Sequence, residues 1–485
     1  MGRTSASRYP FVFIIFIAAL AALGGCATNP VTGKSNFVMM SEEQELALGR
    51  QEHQKVMQQF KAVDDPELQA YVTRIGEELA EQSHRNNLVY HFTVLDTPMF
   101  NAFALPGGYV YITRGIMANM VSETQLVGVL GHEIGHVTAR HSVRRHASAQ
   151  LAGILGAVAT VATGNQSVGD LSNILGGAAI AGYGRKHELE ADSLGAEYLA
   201  RTSYDPTEMV KTIEILKFHE EYETARAKAE GRQPQTYHLF SSHPRNDQRL
   251  QELVNSAKQF QTGPTRQPDD DAFLRLMDGL TYGPSEDQGV LRGNKFYHKD
   301  LNLFVEFPKG WRVENLPDRL LATSKTNDAI FQLRLQDLNK KQTPEQFLKQ
   351  AFKKVNEGQS MRIDGEAAYS GVVNTQTPWG QKPTRVAAIF RNGKQVFIAQ
   401  AAGKAALPKN EFFDTVESMR KLNRDEEKLA SARHIKIIRA RSGDTFAKLA
   451  TKSALTNYVE DQLRLINGLY PDGEPTPGQL IKIVK

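Results

Sequence analysis

The sequence predicts an α+β fold in three parts: a mostly helical domain with a small sheet, a second α+β domain, and a small module in β-α-α-β order. The first part rests on a capping box, Ser122–Gln125, followed by an apolar run that indicates a buried helix. From about Lys295 the sequence changes to strand-like segments, with two predicted helices among them, Thr343–Asn356 and Lys409–Leu422. The 485 residues are enough for about three domains.

Composition and charge exclude several classes of function. Hydrophobic residues make up 41% of the chain and charged residues 23%, which is ordinary for packed cores. The net charge of +4 is too small to indicate a nucleic-acid partner. The chain has one cysteine, Cys26, so it can form no intramolecular disulfide and no cysteine-protease site away from that position.

The segment His132–His136 reads His-Glu-Ile-Gly-His and is the most informative motif. On a helix its two histidines, at positions i and i+4, lie on one face and can hold one metal ion. Glu133 can then take a proton from a water on that metal, the minimum needed to hydrolyse a peptide bond. The alternative is an ordinary surface helix, but the neighbouring residues are apolar: Val129, Leu130, Ile134 and Val137.

A catalytic zinc needs a third protein ligand. The continuation HExxHxxGxxH fails, because Ala139 and Ser142 occupy the glycine and histidine positions. Further along, Glu188 and Asp192 are again i and i+4, so one can ligate while the other hydrogen-bonds a ligand imidazole. Glu190 is a competing ligand, but on a different face of the helix. Ligand type and spacing alone do not exclude other divalent ions.

HExxH followed by ExxxD resembles the CAAX prenyl endopeptidase family of gluzincin zinc metalloproteases, and its soluble bacterial members most closely. Three further segments, within a resemblance covering about residues 29–260, look like family signatures: Asn29–Gly33, Asn101–Gly115 and Ser241–Pro244. The resemblance implies a gluzincin-type protease domain with one zinc ion per chain. By position, it makes His132, His136 and Glu188 the ligands, Glu133 the general base and Asp192 the partner of a ligand histidine.

Other polar residues near these motifs have open roles. His243 could donate to the developing oxyanion, close the fourth zinc position, or cap a turn before Pro244, with Arg245 in support. His141 lies about 140° around a continuous helix from His136, so we expect it behind the ligands or in packing. We expect His187 to be a neighbour of the site.

The segment Asn101–Gly115 predicts a strand, since Val110 and Ile112 alternate with tyrosines after the turn Pro106–Gly108. In zinc proteases an edge strand beside the active-site helix pairs with the substrate backbone. The alternative is a plain core strand.

The N-terminus predicts export and a lipid anchor. Arg3 and Arg8 precede the apolar run Phe11–Leu23, which has the length of a signal-peptide core. Leu23–Cys26 resembles a bacterial lipobox, so residues 1–25 would be removed and Cys26 lipidated. Ala27, and not an aspartate, follows the cysteine, so the usual sorting rule for lipoproteins suggests the periplasmic face of the outer membrane. The alternative is an uncleaved transmembrane anchor.

The predicted domain order follows from composition shifts and two further resemblances. A helical hairpin, Ala147–Gly184, would join the two zinc helices, and a Pro- and Asp-rich linker follows the protease domain. The second domain has the segment Phe307–Trp311 near its start and weakly resembles PsbP or Mog1-like domains. The tail has Ser442–Thr445 and Pro477–Gln479 near its ends and resembles a LysM module, a class that binds glycans such as peptidoglycan. The predicted boundaries are 26–262 (protease), 263–294 (linker), 295–425 (accessory) and 434–485 (LysM-like).

Motifs and resemblances together predict a zinc-dependent endopeptidase that cleaves misfolded or unassembled cell-envelope proteins. Two alternatives stay open at this point. One is an envelope assembly factor or chaperone with a closed zinc site. The other is a peptidoglycan-binding scaffold with a vestigial site.

Overall fold

The computed structural model describes most of the chain outside its N-terminus and one internal stretch. The described residues are 26–28, 30–31, 35–37, 40–145, 184–231, 234, 247–261, 263–316, 318–352, 354–405 and 409–485. Several sequence predictions therefore lie outside the described residues: the signal peptide, nearly all of the hairpin Ala147–Gly184, and the segment with His243 and Arg245. No helix in these ranges is both long and apolar enough to cross a bilayer.

The chain forms two compact units. The first comprises Met1–Arg226, Pro234–Leu280 and Ile435–Lys485, and the second comprises Ala227–Gln233 and Thr281–His434. Helices and several small sheets occur together, which confirms the predicted α+β class. Each unit is described by itself below.

The described part of the first unit, before its C-terminal segment, contains two short N-terminal strands, one three-stranded sheet and a set of helices. The strands are β1 (Cys26–Thr28), β2 (Ser35–Phe37), β3 (His91–Leu95), β4 (Ala102–Leu105) and β5 (Tyr109–Thr113). The helices are α1 (Glu42–Gln59), α2 (Pro66–Glu81), α3 (Arg114–Met117), α4 (Glu123–Thr138), α5 (Arg185–Arg201), α6 (Met209–Glu230), α7 (Asp247–Phe260) and α8 (Asp270–Leu276), with a 3-10 turn at Pro206–Glu208.

Helix α4 carries the HExxH motif and is buried along its whole length. The Ser122 side chain caps its first turn by accepting from the Gln125 N–H at 3.2 Å. The Gln125 side chain accepts from the N–H of Val121 at 2.6 Å, one residue before the position that a capping box uses. The predicted helix start is thus correct, with a shifted reciprocal bond.

Glycines let α4 and α5 approach closely enough to share one site. A Cβ at Gly135 would lie 2.9 Å from the carbonyl oxygen of Ala191. A Cβ at Gly195 would lie 3.1 Å from the backbone nitrogen of His132. Side chains at these positions would push the two helices apart, so the glycines set the distance between the two motifs.

The small sheet has the order β3-β5-β4, with β3 parallel and β4 antiparallel to β5. The predicted strand Asn101–Gly115 is a hairpin of two strands that runs on into α3. Its turn uses Gly107 and Gly108, whose φ angles of 78° and 89° favour glycine. Strand β4 is the edge of this sheet.

Helix α1 is anchored at both the hairpin and the end of α4. Gly49 lies so close to the hairpin that a Cβ there would be 2.0 Å from the carbonyl oxygen of Pro106. The buried carboxylate of Glu45 accepts from Arg85 at 2.7 Å and from Arg140, just after α4, at 2.8 Å. Because both arginines bind this carboxylate, its charge is paired inside the protein.

The described second unit is mostly β structure, with three helices. Its strands are β6 (Thr281–Tyr282), β7 (Val290–Arg292), β8 (Lys295–His298), β9 (Leu303–Glu306), β10 (Arg312–Leu316), β11 (Arg319–Thr323), β12 (Ala329–Asp337), β13 (Asn356–Ile363), β14 (Glu366–Thr377), β15 (Gly380–Arg391) and β16 (Gln395–Gly403). Its helices are α9 (Pro344–Ala351), α10 (Lys409–Glu417) and α11 (Arg424–Leu429). Two of these helices, α9 and α10, were predicted from the sequence. Each is shorter than its predicted range, which was Thr343–Asn356 for α9 and Lys409–Leu422 for α10.

An antiparallel seven-stranded sheet, in the order β10-β11-β12-β16-β15-β14-β13, organises this unit. Phe307, Phe331 and Phe412 pack edge-on or tilted in the core against one face. Leu348 from α9 packs in a second cluster with Val386. Burial on both sides of the central strands explains why their sequences read as nearly continuous apolar runs.

The C-terminal residues form β17 (Arg433–Arg439), α12 (Phe446–Ala450), α13 (Val459–Ile466) and β18 (Leu480–Val484). The element order is therefore β-α-α-β. Strands β17 and β18 pair antiparallel. Lys482 on β18 is fully buried, and its Nζ donates to the carbonyl oxygens of Ala118 at 2.8 Å and Met120 at 2.5 Å. The C-terminal segment therefore contacts the loop that precedes α4.

Burial lowers the pKa of the Lys482 ammonium to about 7. In an unfolded chain lysine keeps its proton to about pH 10.4. Between pH 7 and 10 the unfolded chain binds more protons here than the folded chain, so this residue's contribution to stability rises with pH. We expect the melting temperature of the wild type, relative to Lys482→Met, to rise between pH 7 and pH 9. The exposed control Lys452→Met should show no such trend, and a pH-independent difference for Lys482→Met would contradict the assignment.

Candidate metal centre and catalytic site

Helices α4 and α5 bring together the residues that the two motifs predict. His132 and His136 come from one face of α4, and Glu188 comes from the first turn of α5. One ligand atom from each lies within 4.8 Å of the other two, and all three residues are buried. Glu133 and Asp192 are buried beside them. The four-residue spacing within each motif puts its side chains on one face of its own helix. The close contacts at Gly135 and Gly195 bring these two faces together.

The donor atoms fit a zinc ion. The Nε2 atoms of His132 and His136 are 3.0 Å apart, and each lies 3.5–3.6 Å from an oxygen of Glu188. Donors around a tetrahedral zinc ion, with bonds of about 2.0–2.1 Å, stand about 3.3 Å apart. Two imidazoles and one carboxylate are also a known catalytic zinc set, which leaves a position for water or substrate.

Asp192 holds the first ligand histidine from behind. Its Oδ1 lies 2.9 Å from Nδ1 of His132. Since that nitrogen must carry the proton of this hydrogen bond, Nε2 is left with its lone pair directed at the metal position. The sequence predicts that Asp192 hydrogen-bonds a ligand imidazole, and its carboxylate lies at the distance that this role requires.

Arg249 on α7 was missed by the sequence reasoning, although it is central to the site. Its buried guanidinium binds both oxygens of Asp192 at 2.9 Å and donates to Glu188 Oε2 at 2.9 Å. The four-residue spacing from Arg249 to Leu253 and on to Ala257 is the available signal, because it puts an arginine on the buried face of an amphipathic helix.

The pKa of Asp192 reflects these contacts. Burial raises the pKa of this carboxyl, but Arg249 and the hydrogen bond from His132 outweigh burial and lower the pKa to about 2. Asp192 is therefore a carboxylate throughout the neutral range.

His141 lies against His136, beyond the end of the helix that the angle of about 140° assumes. Helix α4 ends at Thr138, and Arg140 adopts a left-handed conformation with φ of 54°. This break turns His141 back, so that its Nδ1 lies 2.8 Å from Nδ1 of His136. The angle was calculated for a continuous helix.

Glu190, the competing ligand, lies outside the cluster of donor atoms. Its Oε2 is 3.1 Å from Nε2 of His141 and 3.1 Å from the guanidinium of Arg144. The ring of His187 stacks on His141 with centroids 4.3 Å apart. Burial lowers the pKa of His187 to about 4, with help from His141 and Arg144, so His187 is neutral at pH 7.

A small cavity of about 40 Å³ adjoins the site, which is enough space for a few water molecules. Its polar side is formed by His132, Glu133, Asp192 and Arg249. Its other walls are mostly apolar and come from β4, α3, α4 and α6: Ala102, Ile116, Val129, Met209, Thr212, Ile213 and Leu216. Glu133 thus faces a partly open, mostly apolar space next to the histidines of the motif.

Strand β4 contributes an edge to this cavity. The N–H of Thr113 donates to the carbonyl of Asn101, directly opposite, at 3.1 Å. In an antiparallel pair, hydrogen-bonded residues alternate, so Phe103 bonds to β5, and Ala102 and Ala104 direct their backbone groups towards the free edge. Within the described residues this edge has no pairing strand.

Comparison with known proteins finds a matching peptidase family for the part of the chain that carries the motifs. The model of peptidase family M48 matches residues 66–257, which contain both motifs and Arg249. Over these residues the chain is similar to M48 peptidases. The match confirms the metalloprotease class predicted from the motifs, and zinc is the metal that this family and this donor set share.

Several curated proteins are similar over about half of the chain. A beta-barrel assembly-enhancing protease of Yersinia pestis is 29% identical over 266 residues, 53% of each chain. The protein of that name from Escherichia coli K12 is 28% identical over 242 residues, 48% of each chain. The mitochondrial metalloendopeptidase OMA1 of Schizosaccharomyces pombe is 27% identical over 228 residues, 46% of this chain and 64% of that protein.

The chain spans about half the length of the first of these relatives. All three are named as proteases or metalloendopeptidases, which favours the protease over the chaperone and scaffold alternatives. These matches support a peptidase of the M48 type. The finer resemblance to CAAX prenyl endopeptidases stays a prediction.

Removing the Arg249 side chain tests the electrostatics of the site. Arg249→Met would leave Asp192 and Glu188 buried without their cation, which costs about 3–5 kcal/mol when one partner of a buried pair is lost. We expect the melting temperature of the metal-free protein to fall by roughly 10 °C. Arg275→Met is the control, because Arg275 makes an exposed ion pair with Asp271 at 3.4 Å, and such pairs contribute at most about 1 kcal/mol. Equal melting temperatures for the two variants would contradict the role of Arg249.

Proposed function

We propose that the chain is a zinc-dependent endopeptidase of the bacterial cell envelope. The observation that carries this proposal is the position of Glu133 at a mostly apolar cavity, next to two imidazoles and a carboxylate that fit one zinc ion. His132, His136 and Glu188 would hold the metal, and Asp192 would orient His132.

Zinc bound there would polarise a scissile carbonyl and increase the acidity of a water molecule. Glu133 is the general base: its carboxylate accepts the proton of the attacking water and delivers it to the leaving amine. Asp192 and Arg249 keep His132 in the tautomer that ligates through Nε2. The apolar walls exclude bulk water, which strengthens each of these interactions.

The substrate would bind as an extended peptide against β4. Ala102 and Ala104 would supply backbone hydrogen bonds along the free edge, and this pairing recognises a main chain of any sequence. The small apolar cavity beside Glu133 suits a small apolar side chain next to the scissile bond. Both features fit unfolded or unassembled proteins better than compact ones.

Localisation and anchoring belong to this proposal. The lipobox-like segment at Cys26 supports a lipid anchor on the periplasmic face of the outer membrane, and the bacterial relatives support the envelope. The β-α-α-β order of the C-terminal residues supports a LysM-like module that binds peptidoglycan. Misfolded or unassembled envelope proteins would then be the substrates, as the resemblance to soluble CAAX prenyl endopeptidases implies.

Replacing Glu133 tests the catalytic assignment. Glu133→Gln keeps the size of the side chain but removes its basicity, so casein cleavage should fall by about 100-fold or more while one zinc per chain is retained. Glu81→Gln, at the exposed end of α2, is the matched control and should cleave as the wild type does. Undiminished cleavage by Glu133→Gln would refute the role of Glu133, and absence of zinc from the wild type would refute the proposed enzyme.

Proline substitutions in β4 test the substrate edge. Ala104→Pro removes an N–H directed at the free edge, so we expect KM for a peptide substrate to rise about tenfold or more with little change in zinc content. Phe103→Pro removes an N–H that pairs with β5, so its main effect should be a lower melting temperature. An unchanged KM in a folded Ala104→Pro variant would show that the substrate does not pair with β4.

A further inference from the structure

His141 is a fully buried histidine with no assigned role, and it contacts the metal site from behind. Its Nδ1 lies 2.8 Å from Nδ1 of His136, the nitrogen of that ligand which faces away from Glu188. Its Nε2 lies 3.1 Å from Oε2 of Glu190. Both nitrogens of His141 are therefore in hydrogen-bonding distance of a defined partner, which simple packing does not require.

Proton counting fixes the direction of these hydrogen bonds. His136 can ligate through Nε2 only if that atom carries a lone pair, so its proton is on Nδ1. The Nδ1–H of His136 must then donate to Nδ1 of His141, which has to be the unprotonated nitrogen of that ring. The remaining proton of His141 is on Nε2, where the carboxylate of Glu190 accepts it.

The surroundings of Glu190 favour this direction. The guanidinium of Arg144 donates to the same oxygen, at 3.1 Å, and keeps the carboxylate in place. The ring of His187 stacks at 22° on His141 and restricts its rotation. A fixed acceptor at one end and a stacked ring on one face leave a single orientation for the imidazole of His141.

We propose that His141 and Glu190 are positioning residues that hold His136 in its metal-ligating tautomer and orientation. This inference rests on the proposed zinc site. The two ligand histidines would then be held by different means: His132 by the charged pair of Asp192 and Arg249, and His136 by a neutral imidazole that is itself bound to Glu190. Partners of this kind typically change metal affinity by about 10- to 100-fold.

Two substitutions of His141 separate its two hydrogen bonds. In His141→Asn the side-chain oxygen takes the place of Nδ1 and can still accept from His136, but the contact with Glu190 is lost. In His141→Gln the side-chain amide takes the place of Nε2 and can still donate to Glu190, but no acceptor remains near His136. A residue that only fills space would respond similarly to both changes.

The experiment measures the dissociation constant of zinc by competition with a chromophoric chelator, on the full chain and its variants. We expect His141→Gln to bind zinc about 10- to 100-fold more weakly than the wild type, and His141→Asn to remain within about threefold. Melting temperatures of the metal-free proteins show whether a change in affinity is a folding defect.

Glu190→Ala provides an independent test, and it carries the test if His141→Gln does not fold. Glu190 is linked to His136 by its hydrogen bond with His141, so Glu190→Ala should weaken zinc binding in the wild-type background and have little effect in the His141→Asn background. Equal zinc affinities of the wild type, His141→Gln and Glu190→Ala would overturn the inference. A wild type that binds zinc and cleaves casein would leave the proposed function intact in that case, whereas a wild type without zinc would overturn both.

Discussion

Two carboxylates, Glu188 and Asp192, are buried one helical turn apart on α5, and the site depends on keeping both of them charged. An isolated buried carboxylate is costly enough to take up a proton, and a neutral carboxyl would neither ligate zinc nor orient an imidazole. Arg249 prevents this by contacting both residues at 2.9 Å. The histidines of α4 then meet charged partners in the interior of the domain.

The same domain uses close packing to place these charges. Gly135 and Gly195 let α4 and α5 come close enough for an imidazole on one helix to reach a carboxylate on the other. Glu45 on α1 binds Arg140 at the end of α4, and Gly49 on the same helix contacts the β4–β5 turn. Helix α1 thus contacts both the end of α4 and the hairpin that contains β4. These contacts fix the position of β4 relative to α4.

The sequence predicted the parts of the site that depend on local geometry. His132 and His136, and again Glu188 and Asp192, are four residues apart, and helix geometry alone puts each pair on one face. The resemblance to gluzincin proteases added the expectation that Glu188 is the ligating carboxylate. The strand before the motif and the cap at Ser122 were also predicted from local patterns, although the segment proved to be a hairpin.

The missed features depend on contacts between distant parts of the chain or on a break in regular structure. Arg249 contacts a residue 57 positions earlier, and Lys482 contacts carbonyls more than 360 positions earlier, so no local pattern reveals either partner. The position of His141 depends on the left-handed Arg140, which ends the helical periodicity used for the prediction.

X-ray diffraction from crystals of the full chain at the zinc absorption edge tests the central claim most directly. The account predicts one anomalous peak per chain between α4 and α5, bound by Nε2 of His132, Nε2 of His136 and a carboxylate oxygen of Glu188. A peak bound by Glu190 instead, a peak elsewhere on the chain, or no zinc peak at all would contradict it.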